Sequence, residues 1–323
     1  MCRTWAYLAG IVSVAALAFN FSAQSQEYPS QDIHFVVGFP PGSGADTVTR
    51  YVAEKLRVEA NRPVLVENKV GAAGNIAVEH VAPAKPDGHT ILLSTGSSVA
   101  AMMHMFKKPP VDVIKSFQIA ATISRQGFML VVDTKSPYKT VADLTQAMKK
   151  KGADASYAVA APSGIVMGEL YKSITGVEAA QVRFRTAADS LNELASGKID
   201  YGMLDPQLSL AQAGQGKLRI LAHSAGQRLE SVPGIPTMAE AGVTGMDLTG
   251  WWALLVPAGT PQPVIAQLNG WMAKILATEE SRKFFANTGG DPFLSSVADG
   301  QALFLKDEKA WAGYVRVSKI EPQ

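Results

Sequence analysis

The chain has 323 residues, of which 47% are hydrophobic and 18% charged, and its formal net charge is +2. This length accommodates two modest domains, and the near-neutral charge argues against the strongly basic surface of a nucleic-acid-binding protein. A single cysteine excludes an internal disulfide and a cluster of thiolate metal ligands.

The N-terminus has the pattern of a secretory signal peptide. Arg3 precedes an apolar run over 5–21, and Ala23-Gln24-Ser25 then offers a cleavage site between small residues. The run is short for a membrane-spanning helix of about 20 residues. We therefore expect residues 1–25 to be removed on export, together with Cys2.

The mature chain first predicts a strand, a glycine turn and a helix in succession. Residues 33–39 are mostly apolar, as in a buried strand, and apolar residues then recur at helical spacing. The connecting turn reads Phe39-Pro40-Pro41-Gly42-Ser43-Gly44-Ala45-Asp46. It begins like a dinucleotide-binding fingerprint, but Thr47 stands where the third glycine would be. A dinucleotide site stays open as an alternative on these residues alone.

The 39–46 turn predicts a seat for a carboxylate or phosphate. The first amides of a helix lack intrahelical partners and lie at the positive end of its dipole. Gly42 and Gly44 allow a ligand to approach the backbone closely. Ser43 and Asp46 have the spacing of a capping box, which would fix the helix start. The alternative is a capped turn that serves structure alone.

Strands and helices then alternate, which predicts parallel sheets. The further predicted strands are 63–67, 90–94, 117–123, 128–132, 156–160, 181–184, 201–204, 218–222 and 251–256. A helix over 100–106 should follow a turn at 95–98, and Thr260 should cap another helix. Trp251 and Trp252 should point to opposite faces of their strand.

The alternation restarts at Ser156, so the same layered architecture occurs twice. We therefore expect an α/β fold of two domains, each a mainly parallel sheet flanked by helices. Residues 26–124 and 250–323 would form the first domain and 125–249 the second. The two extended segments that join them predict a hinge.

Ligands in such folds bind outside the carboxyl ends of the strands. The candidate ligand-binding residues follow strand ends and are Phe39, Gly42, Ser43, Gly44, Asp46, Thr95, Ser97, Ser163, Gly164, Thr186 and Asp205. Asp205 has an alternative role as a helix cap. His223 and Arg185 also follow strand ends and stay open as further contacts.

No catalytic constellation is evident in the sequence. There is no G-x-S-x-G motif, and the five histidines lack metal-binding spacing. A secreted hydrolase acting through Ser97 or Ser163 is an alternative, but it lacks a convincing base. We therefore expect no catalytic residue, metal or cofactor.

Short motifs occur along the chain in a characteristic order. They are Tyr28-Pro29, Phe39-Pro40-Pro41-Gly42 with Asp46, Val66-Glu67-Asn68, Gly71-Ala72-Ala73-Gly74-Asn75, Pro86-Asp87-Gly88, Gly197-Lys198-Ile199-Asp200, Gly216-Lys217-Leu218-Arg219, Val232-Pro233-Gly234-Ile235-Pro236-Thr237, Glu240-Ala241-Gly242 and Pro257-Ala258-Gly259-Thr260-Pro261. Together they resemble the Bug (TctC-like) family, the periplasmic solute receptors of tripartite tricarboxylate transporters. The resemblance covers nearly the whole mature chain.

The resemblance implies a two-domain, type II-like periplasmic receptor of the Venus-flytrap kind that binds a small organic carboxylate. The loop at 39–46 would grip the carboxylate, partly through ordered waters, and a facing loop of the second domain would complete the grip. Membrane subunits of a transporter would be the partners, with no nucleic acid, and we expect a monomer. The dinucleotide alternative is removed, whereas a sensor that docks on a signalling receptor stays open.

The sequence departs from the family pattern in two places. Many members have a longer glycine-rich loop and a histidine near 160–167, where this chain has Ala161-Pro162-Ser163-Gly164. Many also have a histidine in the stretch after Thr95, where Val99 stands. The identity of the ligand therefore does not carry over from relatives.

Overall fold

A computed structural model describes residues 28–71, 74–160 and 162–322, and for Ser97, Pro162 and Ala187 it describes the backbone alone. The predicted signal segment over 1–25, with Cys2, lies outside the described residues. Among the helices of the described ranges, none combines the length and apolar character that crossing a membrane requires.

Strands and helices alternate along most of the described chain. The strands are β1 (Ile33–Val37), β2 (Val64–Asn68), β3 (Thr90–Thr95), β4 (Phe117–Gly127), β5 (Met129–Asp133), β6 (Ser156–Val159), β7 (Ala180–Arg183), β8 (Tyr201–Leu204), β9 (Leu218–His223), β10 (Thr249–Pro257) and β11 (Gly290–Pro292). The helices are α1 (Gly44–Ala60), α2 (Asn75–Val81), α3 (Gly96–Met105), α4 (Val113–Ser116), α5 (Val141–Lys151), α6 (Pro162–Thr175), α7 (Leu191–Ala195), α8 (Pro206–Gly214), α9 (Gln262–Leu276), α10 (Glu279–Asn287) and α11 (Val297–Val317).

The strands form two sheets, which confirms the expected α/β architecture. The first sheet has the order β11-β4-β10-β3-β1-β2, and the second has the order β7-β6-β8-β5-β9. Pairing is parallel in β2-β1-β3 and in β7-β6-β8, whereas β10, β4, β11 and β5 pair antiparallel. Both sheets are therefore mixed, although the sequence predicted mainly parallel ones.

The long strands β4 and β10 explain the mixed pairing. Parallel neighbours require a crossover that carries the chain back to the opposite end of the sheet. The chain instead leaves the first sheet at the C-terminal end of β4 and re-enters at that same end with β10. The two strands must therefore run in opposite directions. Their pairing extends from Phe117 opposite Pro257 to Gly127 opposite Thr249.

Ser224 ties together the two segments that pass between the sheets, 127–129 and 247–249. The N–H and hydroxyl of Ser224 pair with the backbone of Phe128 at 2.9 and 3.0 Å, and its carbonyl and hydroxyl pair with Leu248 at 2.9 and 2.7 Å. Ser224 is fully buried, so water does not compete for these bonds. The crossing is thus held by hydrogen bonds from the backbone and side chain of one residue.

Apolar cores cover both faces of the first sheet. Along β1, Phe35 joins the core beneath α1 and α9, while Val36 joins the core that continues toward the second sheet. Trp251 and Trp252 likewise belong to opposite cores, which confirms the prediction from strand periodicity. This alternation leaves the strand ends, rather than the faces, available for a ligand.

Two local predictions were wrong. Helix α3 begins at Gly96, four residues before the predicted start, because Thr95 accepts a hydrogen bond from the Ser98 N–H and caps it. Thr260 does not cap α9, because its hydroxyl donates to the Pro257 carbonyl at 2.7 Å, and Pro261 occupies the capping position instead. In addition, α10 was not predicted.

Candidate functional site

A turn joins β1 to α1 as predicted, but the hydrogen bonds that cap α1 differ from the predicted ones. Ser43 Oγ accepts from the Asp46 N–H at 3.2 Å, which is half of a capping box. The Asp46 carboxylate accepts from the Gly42 N–H at 2.9 Å rather than from Ser43, whose N–H donates to Pro40. The predicted capping box is therefore incomplete, and the amide of Gly42 is already occupied.

Asp46 is the centre of a hydrogen-bonded clamp on the turn. Its carboxylate also accepts from Arg50 Nε at 2.9 Å and from Asn68 Nδ2 at 2.8 Å, and Asn68 Nδ2 lies 3.0 Å from the Phe39 carbonyl oxygen. Burial opposes ionisation of Asp46, but the donors from Arg50, Asn68 and Gly42 outweigh it and lower its pKa to about 2. Asp46 is thus a fixed anion that shapes the turn, and it is only 3% exposed.

The amides left for a ligand are those of Gly44 and Ala45. Asp46 and Thr47 donate their N–H groups to Ser43, whereas within the described residues Gly44 and Ala45 have no hydrogen-bond acceptor for theirs. They are the first two amides of α1, at the positive end of its dipole. The predicted anion seat is therefore limited to two backbone amides.

Gly44 faces the second sheet's half of the molecule directly. A Cβ atom placed on Gly44 would overlap Oε1 of Gln207, in the first turn of α8. A Cβ atom on Gly289 would lie 2.6 Å from the Pro206 Cβ and 2.8 Å from Leu210 Cδ1. The start of α8 therefore lies against the start of α1 and the turn before β11, and the two halves meet at these glycines.

Gln207 is the contact that sequence reasoning missed. It lies two residues after Asp205, which was selected because it follows β8 directly. The only sequence feature that could have indicated Gln207 is its position in the first turn of a helix that follows a strand end. Side chains there reach the cleft outside the carboxyl ends of the strands.

Asp205 has the helix-capping role that was left open, and it lies at the cleft. Its Oδ1 accepts from the Leu208 N–H at 2.9 Å at the start of α8. The residue is solvent accessible, but burial of its surroundings raises the pKa of the carboxyl, and the bond from Leu208 only partly offsets this. Gln207 thus presents an amide group to α1, and the Asp205 carboxylate caps α8 two residues before Gln207 in the chain.

The remaining candidates are used mainly for local structure. Thr95 caps α3, and Thr186 caps the short helical turn at 187–190, where Thr186 and Asp189 form a full capping box. Phe39 packs beside Trp252, with the ring centroids 6.2 Å apart. Gly164 lets α6 approach β8, because a Cβ there would lie 2.6 Å from the Met203 carbonyl oxygen.

The two predicted serines, Ser163 and Ser97, stand at the starts of α6 and α3. Ser163 is half-buried at the start of α6 and has no hydrogen-bond partner within the described residues. The side chain of Ser97 lies outside the described part of the structure. No base is described beside Ser163, so its described surroundings do not resemble those of an activated nucleophile.

His223 and Arg185 have different surroundings. His223 is fully buried next to Gly127 at the crossing, so it does not line the cleft, and in the described part of the chain neither ring nitrogen has a partner. Burial lowers the pKa of His223, which keeps the ring neutral. Arg185 is exposed after β7, an edge strand of the second sheet.

A separate cavity of about 340 Å³ lies beside the crossing segments. Its lining includes Arg125, Asp247, Trp251, Lys306 and Tyr314, and none of the predicted ligand-binding residues. It lacks the free helix amides found at the start of α1. The cleft between α1 and α8 is therefore the better candidate for binding an anion.

Comparison with known proteins agrees with this architecture. Residues 48–317 match the family model described as tripartite tricarboxylate transporter family receptor, TctC. BugT of Bordetella pertussis is 26% identical over 319 residues, covering 98% of this chain and 97% of that protein.

Solved structures show the same fold. R. palustris Rpa4515, solved with adipate, is 27% identical with a TM-score of 0.80, covering 92% of this chain and 100% of that one. The periplasmic binding protein BugD is 26% identical with a TM-score of 0.75, at the same coverage of both chains.

Proposed function

The chain belongs to the TctC family of tripartite tricarboxylate transporter receptors, and from this membership we propose that it captures a small organic carboxylate in the periplasm for a membrane transporter. Proteins of this family are solute-binding receptors rather than enzymes. In keeping with this role, residues 1–25 would direct export and be removed, and the receptor would act as a monomer.

One observation carries the proposal: within the described residues the amides of Gly44 and Ala45 have no acceptor, and they lie at the start of α1 beside Gln207, in a turn that the Asp46 hydrogen bonds hold. A carboxylate there would accept two backbone hydrogen bonds and gain from the helix dipole. Because Asp46 and Asn68 fix the turn beforehand, little ordering is needed on binding. The walls of the proposed binding site would be completed by Phe39, Ser43, Thr95, Ser97, Ser163, Gly164 and Thr186.

A small organic acid should bind the mature protein tightly enough to raise its thermal stability. A ligand present at 100 times its Kd adds roughly 2.7 kcal/mol to the free energy of unfolding. A thermal-shift screen of mono- and dicarboxylates, followed by calorimetry, measures this, with inorganic chloride at equal ionic strength as the control. Adipate belongs in the panel because a relative was solved with it. If no carboxylate shifts the melting temperature, the proposed function is wrong.

We further propose that residues 26–124 with 250–323 form one domain, that 125–249 form the other, and that the two close about the crossing at 127–129 and 247–249. The contacts of Gln207 with Gly44 and of Pro206 with Gly289 are those expected when the cleft between the two domains is closed. We expect the two domains of the unliganded receptor to move apart in solution by rotating about the crossing segments, which the Ser224 hydrogen bonds hold together.

Ligand binding should make the receptor more compact. A closed cleft excludes water and brings α8 onto α1, so the radius of gyration should fall when ligand is added. Small-angle X-ray scattering of the same sample with and without saturating ligand measures the change. A non-binding carboxylate from the screen is the control. An identical radius of gyration at saturation would contradict a hinge.

A further inference from the structure

The two walls of the cleft differ in charge where they meet. On one side, α1 presents the free amides of Gly44 and Ala45 at the positive end of its dipole. On the other side, α8 begins at the carboxylate of Asp205, and Gln207 in the same turn reaches Gly44. A ligand carboxylate held by α1 therefore has an acidic helix cap opposite it.

No cation balances Asp205 within the described residues. Its pKa is raised by burial and lowered only by backbone donors, with no charged group contributing. The internal positions outside the description, 72, 73 and 161, are alanines and supply no charge.

Arg185 is a cation that follows a strand of the same sheet as Asp205 and could in principle balance its charge. It follows β7, two strand positions from β8 in the second sheet. This places the two strand ends roughly 10 Å apart. Asp205 caps the helix that contacts Gly44, so it is the ionisable group nearer to that contact in the chain.

Resting on the proposed function, we infer that the ligand is a monocarboxylate whose far end donates hydrogen bonds, as an ammonium or amide group does. Its carboxylate takes the amides of Gly44 and Ala45, and its far end takes the free lone pairs of Asp205. A second carboxylate at that place would lie beside a like charge, and the two would repel each other. A methyl group there would leave the Asp205 carboxylate desolvated without a partner.

The test compares ligands of equal carbon number that differ only at the far end. Calorimetry on the mature receptor would use succinate, glutarate and adipate against γ-aminobutyrate, δ-aminovalerate and ε-aminocaproate, together with the monoamides of the three diacids. At the best chain length, the ammonium or amide compound should bind at least about tenfold tighter than the diacid, since opposite and like charges near Asp205 act in opposite directions. Comparing the ammonium compound with the amide then distinguishes the two donors.

Asp205→Asn is the decisive variant. Asparagine caps a helix as well as aspartate does, so α8 should be retained, while the charge is lost. The preference for the ammonium compound over the diacid should shrink to less than about threefold as the charge term vanishes. Asp112→Asn, which changes the equivalent cap of α4, is the matched control and should leave the preference unchanged.

Three results would overturn the inference. The first is a diacid that binds the unmodified receptor as tightly as its ammonium and amide counterparts, in which case Arg185→Gln would show whether Arg185 holds the second carboxylate. The second is an unchanged preference in Asp205→Asn. In both cases the receptor still binds carboxylates and the proposed function stands. Failure of every compound to bind removes the proposed function together with the inference.

Discussion

Replacing Gly44 with valine should weaken carboxylate binding by about 100-fold while leaving the fold intact. A branched side chain at this position projects toward Gln207 and blocks the approach to the amides of Gly44 and Ala45. Hydrogen bonds to charged groups contribute about 1.5–3 kcal/mol each, so the loss of two corresponds to at least about 100-fold in Kd. Gly44 does not have a positive φ, so valine fits the backbone.

A graded series separates blocking of the seat from damage to the protein. Gly44→Ala adds one carbon, which the flexible end of Gln207 can avoid, so its loss of affinity should be smaller than that of valine. Adding Gln207→Ala should restore part of the affinity of Gly44→Ala and little of Gly44→Val. Arg57→Ala, at the other end of α1 in an exposed ion pair with Glu54, is the control.

Calorimetry gives the affinities of these variants, and far-UV circular dichroism monitors their fold. Native affinity in a folded Gly44→Val protein would show that the anion binds elsewhere and that the 39–46 turn is structural only.

Asp46→Ala should lower the free energy of unfolding by about 2 kcal/mol and also abolish binding. The pKa of about 2 means that the folded protein stabilises the Asp46 carboxylate relative to the unfolded chain. Arg50 is half exposed, so salt screens its part, and the bonds from Gly42 and Asn68 carry more of the effect. Without them the amides of Gly44 and Ala45 lose their fixed position.

The pH dependence of this difference follows from its sign. The pKa of Asp46 is lowered in the folded state, so its stabilisation is complete above the ordinary aspartate pKa of about 4 and is lost as pH falls toward about 2. The difference in unfolding free energy between the two proteins should therefore shrink over that range. Urea unfolding at several pH values measures it.

Asp143→Ala provides the matched control for Asp46→Ala. Asp143 also stands at the third position of a helix, α5, but it is exposed and belongs to a complete capping box. Its loss should cost about 1 kcal/mol or less and leave binding unchanged. Equal losses in the two variants would show that the Asp46 clamp contributes no more than an ordinary helix cap.

Some of the candidate site could be predicted because it depends on short stretches of chain. The strand, glycine turn and helix around Gly44 follow from the hydrophobic pattern and from glycine and serine at fixed spacing. The role of Asp205 as a cap follows in the same way, because a cap bonds to an amide only three residues away. The presence of two α/β units followed from the repeated alternation of strands and helices.

Other parts of the site required the tertiary structure. The Asp46 carboxylate turns to Gly42 rather than Ser43, because β2 brings Asn68 to its other oxygen. Thr186 was selected as a ligand contact, but its side chain is held in a complete capping box with Asp189. The partner of Asp46, Asn68, lies 22 residues away and was not visible in the local sequence. The partner of Thr186 is only three residues away, so this capping box could have been predicted from the spacing.

The sequence by itself determined the α/β architecture, the glycine turn before α1 and the cap of α8, because each depends on groups within a few residues of one another. Only the tertiary structure decided that β4 and β10 pair antiparallel, that Ser224 joins both crossing segments, and that Gln207 meets Gly44 across the cleft. These contacts join residues that are far apart in the chain. They form only when whole apolar faces are buried together, and that packing fixes which distant backbones meet.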